Sequence, residues 1–137
     1  MKITCLVENT CLNKNLECEH GLSLFIETKN LKILFDMGQS DLFYENAVKL
    51  GIDITDVNFA VLSHGHYDHG GGLGEFLRIN RDAPVYISKY AFGEHYNGEG
   101  KYIGLDPALR DSGRLIAVGD HLRIDGELEL YSCNERE

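Results

Sequence analysis

Apolar and polar positions change period several times along the chain. Lys2 to Glu8 and Leu22 to Thr28 are short runs dense in β-branched and aromatic residues, the pattern of strands. Leu31 to Phe35 repeats it after Lys29-Asn30, which reads as a tight turn, so residues 22–35 predict a hairpin. From Asp41 the period lengthens. Phe43, Ala47 and Leu50 fall on one helical face, Ser40 is placed as N-cap, Asp41 lies where the helix dipole favours an acid, and Gly51 ends the run. Asn58 to Ser63 is apolar almost throughout and predicts a buried strand.

Further on, Leu73 to Ile79 predicts a short helix and Pro84 to Ser88 a strand. Six glycines or prolines between Gly93 and Gly113 predict a loop-rich stretch, with at most a short helix over residues 89–95. Arg114 to Cys133 alternates around turns at Gly119-Asp120 and Asp125-Gly126 and predicts two or three antiparallel strands. No repeat, linker or low-complexity tract divides the chain, so residues 1–137 read as one domain of the α/β (α+β) class.

Composition agrees with a packed fold. A chain of 137 residues, 43% of them hydrophobic, buries roughly two-thirds of its unfolded surface and needs no disulfide or metal merely to form a core. With 22 acidic against 13 basic residues the net charge is -9. That balance argues against nucleic acid or an anionic membrane as partner, both of which attract clusters of Lys and Arg; here Lys89, Lys101, Arg110 and Arg114 are scattered. No apolar run approaches the roughly 20 residues that cross a bilayer. The N-terminal apolar stretch stops at Glu8 with no small-residue cleavage site after it, so it reads as a first strand and the protein as cytoplasmic. Cys5, Cys11, Cys18 and Cys133 are then expected as reduced thiols, and their six- and seven-residue spacings lack the close pairing of a structural zinc site.

The segment after the buried strand reads Ser63-His64-Gly65-His66-Tyr67-Asp68-His69-Gly70-Gly71-Gly72. Imidazole and carboxylate suit zinc and similar divalent ions. His64 and His66, two apart, share a side if the backbone leaves the strand extended. Asp68 and His69 follow just past the bend and can face a second ion, and the glycines permit the tight turning this requires. Four candidate ligands for a two-metal site therefore lie within six positions.

His64-x-His66-x-Asp68-His69 after an apolar strand resembles the signature of the metallo-β-lactamase superfamily, whose fold is an αββα sandwich and whose members are mostly hydrolases. The resemblance implies that His64 and His66 bind a first metal and Asp68 and His69 a second, with Asp68 also orienting the attacking water. Asp36, in Leu34-Phe35-Asp36-Met37-Gly38, matches an earlier motif whose acid orients the metal loop. The implied cofactors are two divalent ions, zinc first, with iron or manganese as alternatives. Histidine at position 66, where flavodiiron-type relatives carry glutamate, favours hydrolysis over oxygen reduction.

Val7-Glu8-Asn9-Thr10, Glu19-His20-Gly21-Leu22-Ser23 and the two motifs above are together similar to the branch containing the dihydropterin synthase of methanopterin-type cofactor assembly. This implies a small-molecule substrate, a pterin or phosphorylated compound, with Glu8, Asn9 and His20 lining its pocket. The chain departs from the superfamily in its second half. The remaining ligands come there from Gly-Cys-Ser-His-like and later settings, and neither His95 nor His121 stands in one. The expectation is thus the N-terminal half of the sandwich, a mixed, mostly antiparallel sheet with flanking helices, one sheet face uncovered and two protein ligands per metal. Three explanations stay open: a truncated chain, a half-site completed by a second copy or another chain, and a short non-catalytic metal-binding or oligomerising module.

Overall fold

The computed structural model describes residues 1–132. Strands β1 (Lys2–Val7), β2 (Ser23–Glu27) and β3 (Lys32–Phe35) form an antiparallel meander. The predicted hairpin pairs Glu27 with Lys32, and its turn closes where the Thr28 amide donates to the Leu31 carbonyl at 2.8 Å. From β3 to β6 every connection crosses one sheet face and returns in the same direction. Helix α1 (Leu42–Lys49) leads to β4 (Phe59–Val61), α2 (Tyr67–Gly70) and α3 (Leu73–Ile79) lead to β5 (Val85–Ser88), and a looped stretch leads to β6 (Leu115–Val118). The sheet order is β1-β2-β3-β4-β5-β6.

The mixed sheet is as expected, yet its antiparallel share is smaller: three of its five pairings are parallel among the described residues. The reason is the helical connections, which carry the chain across the sheet before each return. The tail divides accordingly. β6 lies parallel beside β5, and the expected antiparallel pairing is confined to β7 (His121–Arg123) and β8 (Glu129–Tyr131). Residues 89–93 make turns instead of a helix, while Pro107–Asp111 forms a 3-10 helix that the glycine-rich surroundings concealed. Asp41, one residue later than expected, is the N-cap of α1, though Ser40 Oγ still accepts from the Leu42 amide at 3.1 Å.

Strand alternation sends Phe25, Leu34, Ala60, Val85 and Ile87 to one face, where they pack with Phe43 and Ala47 of α1 and Leu73 and Phe76 of α3. The opposite face carries Ile33, Phe59 and Val61, all buried, against Ile124, Leu128 and Leu130. This corrects the expectation of an uncovered sheet: the β7–β8 hairpin and its turn close over that apolar strip, because apolar area left in water is costly. Cys5, Cys11 and Cys18 are free thiols; Cys133 lies outside the described residues. Among the described residues no helix is long and apolar enough to cross a membrane.

Candidate metal centre

The loops after β3 and β4 emerge side by side at the carboxyl ends of parallel strands, where open sheets gather ligand sites. Asp36 opens the first loop in left-handed backbone conformation, φ 57°, and is fully buried. An aspartate at such a φ is strained relative to glycine. Its carboxylate explains why it is there. Oδ1 accepts from the Ser63 amide at 2.7 Å, and Oδ2 accepts from Ser63 Oγ at 2.7 Å and His69 Nδ1 at 2.7 Å.

These contacts determine the state of two histidines. A buried carboxylate only accepts, so His69 donates from Nδ1, and a neutral ring then has its lone pair on Nε2. Ser63 Oγ spends its own proton on Asp36 and therefore accepts from His64 Nδ1, 2.9 Å away, leaving His64 Nε2 equally free. Ligand histidines are commonly held through the second nitrogen in this way. One atom each of His64, Asp68 and His69 lies within 4.8 Å of the other two, a spacing that one ion can span. The donor set of two imidazoles and one carboxylate fits zinc and similar divalent ions.

His66 adjoins this trio. Its ring centre is 4.7 Å from that of His64, consistent with the shared side expected from the two-residue spacing, and His64 is in turn 4.3 Å from His69. The convergent trio nevertheless joins His64 to Asp68 and His69 and leaves His66 at its flank. Burial holds the His64 pKa below its ordinary value, helped by the neighbouring His69 and His66.

The three residues expected to contact substrate are distributed differently. His20 Nε2 lies 3.1 Å from Asp68 Oδ2, so it touches the metal loop itself. Asn9 Oδ1 accepts from the Gly21 amide at 2.9 Å. Gly21, at φ 143°, passes so close to the loop that a Cβ there would lie 2.2 Å from the Asp68 carbonyl oxygen. Asn9 thereby braces the backbone under Asp68. Glu8 is exposed and lines a separate cavity of about 280 Å³ with Cys5, Cys11 and Glu17.

Three residues given no role from the sequence also adjoin the site. Ser63 links Asp36 to His64. Glu19 accepts from the Gln39 and Ser40 amides and from Ser40 Oγ, tying the residue-19 turn to the loop that carries Asp36. His95 brings its ring centre to 5.1 Å from that of His66. Ser63 adjoins the motif and Glu19 belongs to the Glu19-His20-Gly21 stretch, whereas His95 stands in no motif-like setting. A cavity of about 190 Å³ opens beside Ser63, walled by Phe35, Tyr86, Leu130 and Tyr131.

Comparison with known proteins is consistent with this geometry. Residues 16–133 match the model of the metallo-beta-lactamase superfamily. An uncharacterised protein of Methanocaldococcus jannaschii is 36% identical over 98% of this chain and 54% of its own length. A 7,8-dihydropterin-6-methyl-4-(beta-D-ribofuranosyl)-aminobenzene-5'-phosphate synthase of the same organism is 30% identical over 90% of this chain and 47% of its own. A crystal structure of a metal-dependent hydrolase of the beta-lactamase superfamily superposes with a TM-score of 0.74 at 33% identity, covering 94% of this chain and 46% of that one. The chain spans about half the length of the curated relatives it matches.

Proposed function

The chain belongs to the metallo-β-lactamase superfamily, and from that membership we infer that it supplies a binuclear metal centre for hydrolysis of an ester, phosphoester or related bond in a small molecule. The observation carrying this reading is the convergence of His64, Asp68 and His69 within 4.8 Å, with the second nitrogens of both histidines engaged through Asp36 and Ser63. Divalent ions of this kind act as Lewis acids and bring the pKa of a coordinated water near neutrality.

The residues themselves then have distinct tasks. His64 and His69 present unprotonated Nε2 atoms, and His66 stands beside them for a second ion. Asp68 offers a carboxylate to the same site and is placed to orient water. His20 stands 3.1 Å from that carboxylate's Oδ2, and Asp36 fixes the loop that carries His64, His66, Asp68 and His69. The similarity to a dihydropterin synthase favours a pterin or phosphorylated small molecule as substrate. Zinc is the first choice of metal for this donor set, with iron and manganese compatible.

The test is metal stoichiometry of the purified chain after zinc loading, measured by elemental analysis, followed by phosphodiesterase and lactone substrates. Bound zinc that is lost in His64→Ala and His69→Ala supports the reading. No binding at millimolar zinc would sink it.

A further inference from the structure

Lys89 and Arg110, two cations that stand far apart in the sequence, line one cavity of about 450 Å³ together with Tyr90, Phe92, Leu115 and Ala117. No acidic residue is among the described residues that line it, in a chain whose net charge is -9. We propose that this cavity binds a small organic anion, a compact apolar or aromatic body carrying a phosphate group. The inference goes beyond the metal-centre reading and does not depend on it, since the cavity shares no lining residue with the motif from His64 to His69.

Three separate segments build the cavity. β5 ends at Ser88 and the chain turns at once, the Ala91 amide donating to the Ser88 carbonyl and the Gly93 amide to the Tyr90 carbonyl, both at 2.9 Å. This turn carries Lys89, Tyr90 and Phe92. Arg110 arrives from the 3-10 helix Pro107–Asp111. Ile87 of β5 pairs in register with Ala117 of β6, and Leu115, two residues earlier, faces the same side, so the three make an apolar floor. A mainly apolar wall with a few placed polar groups is usual for small-molecule sites, whose volumes run from roughly 300 to 1,000 Å³.

The two cations supply the charge. Lys2, Lys32, Arg78 and Arg123 each have a carboxylate within 4.0 Å, whereas neither Lys89 nor Arg110 has one among the described residues. Arg110 is held in place without losing its charge: one guanidinium nitrogen donates to the Phe92 carbonyl at 2.8 Å, and the group lies over the Phe92 ring, 5.4 Å from its centre. That bond uses one of five N–H donors, and the others remain for the oxygens of a ligand. Lys89 Nζ stands over the Tyr90 ring, 5.0 Å from its centre. A phosphate monoester, with a charge of about -1.5 to -2 near neutrality, matches two such cations better than a carboxylate does. The apolar walls concentrate the field of both cations on an entering anion.

The experiment is an NMR titration of the backbone amides of the full chain with phenylphosphonate, whose phosphorus–carbon bond resists hydrolysis. Ionic strength is held constant, and zinc is either present or chelated. The expected result is saturable shifts at Lys89, Gly93 and Leu115 in both conditions. Lys89→Gln and Arg110→Gln should each weaken binding about tenfold, the loss of one charge-assisted hydrogen bond. Arg110→Lys should recover part of that loss, and Lys101→Gln, which removes a cation outside the cavity, should change nothing. Inorganic phosphate and benzyl alcohol present the charge and the ring separately, and each should bind at least about tenfold more weakly.

Either of these binding as tightly as phenylphosphonate overturns the inference, and that comparison needs no variant. Shifts that do not saturate, or that persist unchanged in both Gln variants, overturn it as well. Shifts confined to residues 64–69 and seen only with zinc overturn this cavity while supporting the metal-centre reading. A chain that binds no zinc yet gives saturable shifts at Lys89 and Gly93 overturns the metal-centre reading and leaves this one standing.

Discussion

His69 Nδ1 and Asp36 Oδ2 meet at 2.7 Å across 33 residues of chain. The contact joins the loop after β3 to the loop after β4, and through Ser63 the same carboxylate also reaches His64. A single buried acid therefore governs the orientation of two of the three convergent side chains.

Replacing Asp36 should separate charge from shape. Asp36→Ala leaves the Ser63 amide, Ser63 Oγ and His69 Nδ1 without their acceptor, at a cost of about 3 kcal/mol or more. Asp36→Asn retains the volume and one acceptor and should cost about 1–2 kcal/mol. In the folded Asn variant zinc affinity should fall roughly 10- to 100-fold, because the ligand rings lose their brace. Urea denaturation and chelator competition measure the two effects. An Asn variant with parental zinc affinity would contradict the assigned role.

The seam between the motif and residues 91–104 should be intolerant of a single methyl group. Gly65→Ala drives a Cβ into the Ala91 carbonyl and should destabilise by about 2 kcal/mol, with faster hydrogen exchange at Tyr67, whose amide donates to the Ile103 carbonyl across that seam. Gly98→Ala, where a Cβ meets nothing within 4 Å, should stay within about 0.5 kcal/mol of the parent. Equal effects at the two positions would show that the stretch is not clamped.

Glu8 lies at the cavity of Cys5, and thiol reactivity can report this. Burial raises the Cys5 pKa above its ordinary value, and the Glu8 carboxylate raises it further. At pH 8 the thiolate fraction is therefore small, and alkylation by iodoacetamide should be slow. In a chain with Cys11, Cys18 and Cys133 changed to Ser, Glu8→Gln should lower the pKa and speed alkylation at pH 8. The difference should vanish above the pKa, where both thiols are ionised. If the two rates coincide at every pH, Glu8 does not act on this cavity.

The hairpin that closes the second sheet face offers a test of the core. Leu130 packs with Ile33, Phe59 and Val61. Leu130→Asp places a charge on that strip and should destabilise the chain by about 2 kcal/mol. Fluorescence of a hydrophobic dye should rise as the strip opens to solvent. A variant with unchanged melting and dye binding would mean that the hairpin covers little.

Period and turn chemistry along the chain already determine most of the elements, including the hairpin over residues 22–35, α1, α3 and the buried strand at Phe59–Val61. They also determine the motif from His64 to His69, since imidazoles and a carboxylate at that density have a ligand's chemistry wherever the fold puts them. These are local properties, written in neighbouring residues. The parallel majority of the sheet was less visible, because strand direction depends on how helical connections pack back onto the sheet. The covering of the second face was likewise hidden, since apolar residues at Ile124, Leu128 and Leu130 do not say which strip they will meet.

At the metal centre the division is sharper. Sequence alone supplied Asp36 and the four motif residues, and it brought Glu8, Asn9 and His20 to notice without saying which of them adjoins Asp68. Only the tertiary structure decided that Asp36 holds His69 and, through Ser63, His64; that His20 reaches Asp68 while Glu8 turns to another cavity; and that His95 comes to rest beside His66. Each of these depends on a crossing of separate chain segments, fixed by packing and by hydrogen bonds between residues far apart in sequence, for which no short stretch of residues carries a pattern.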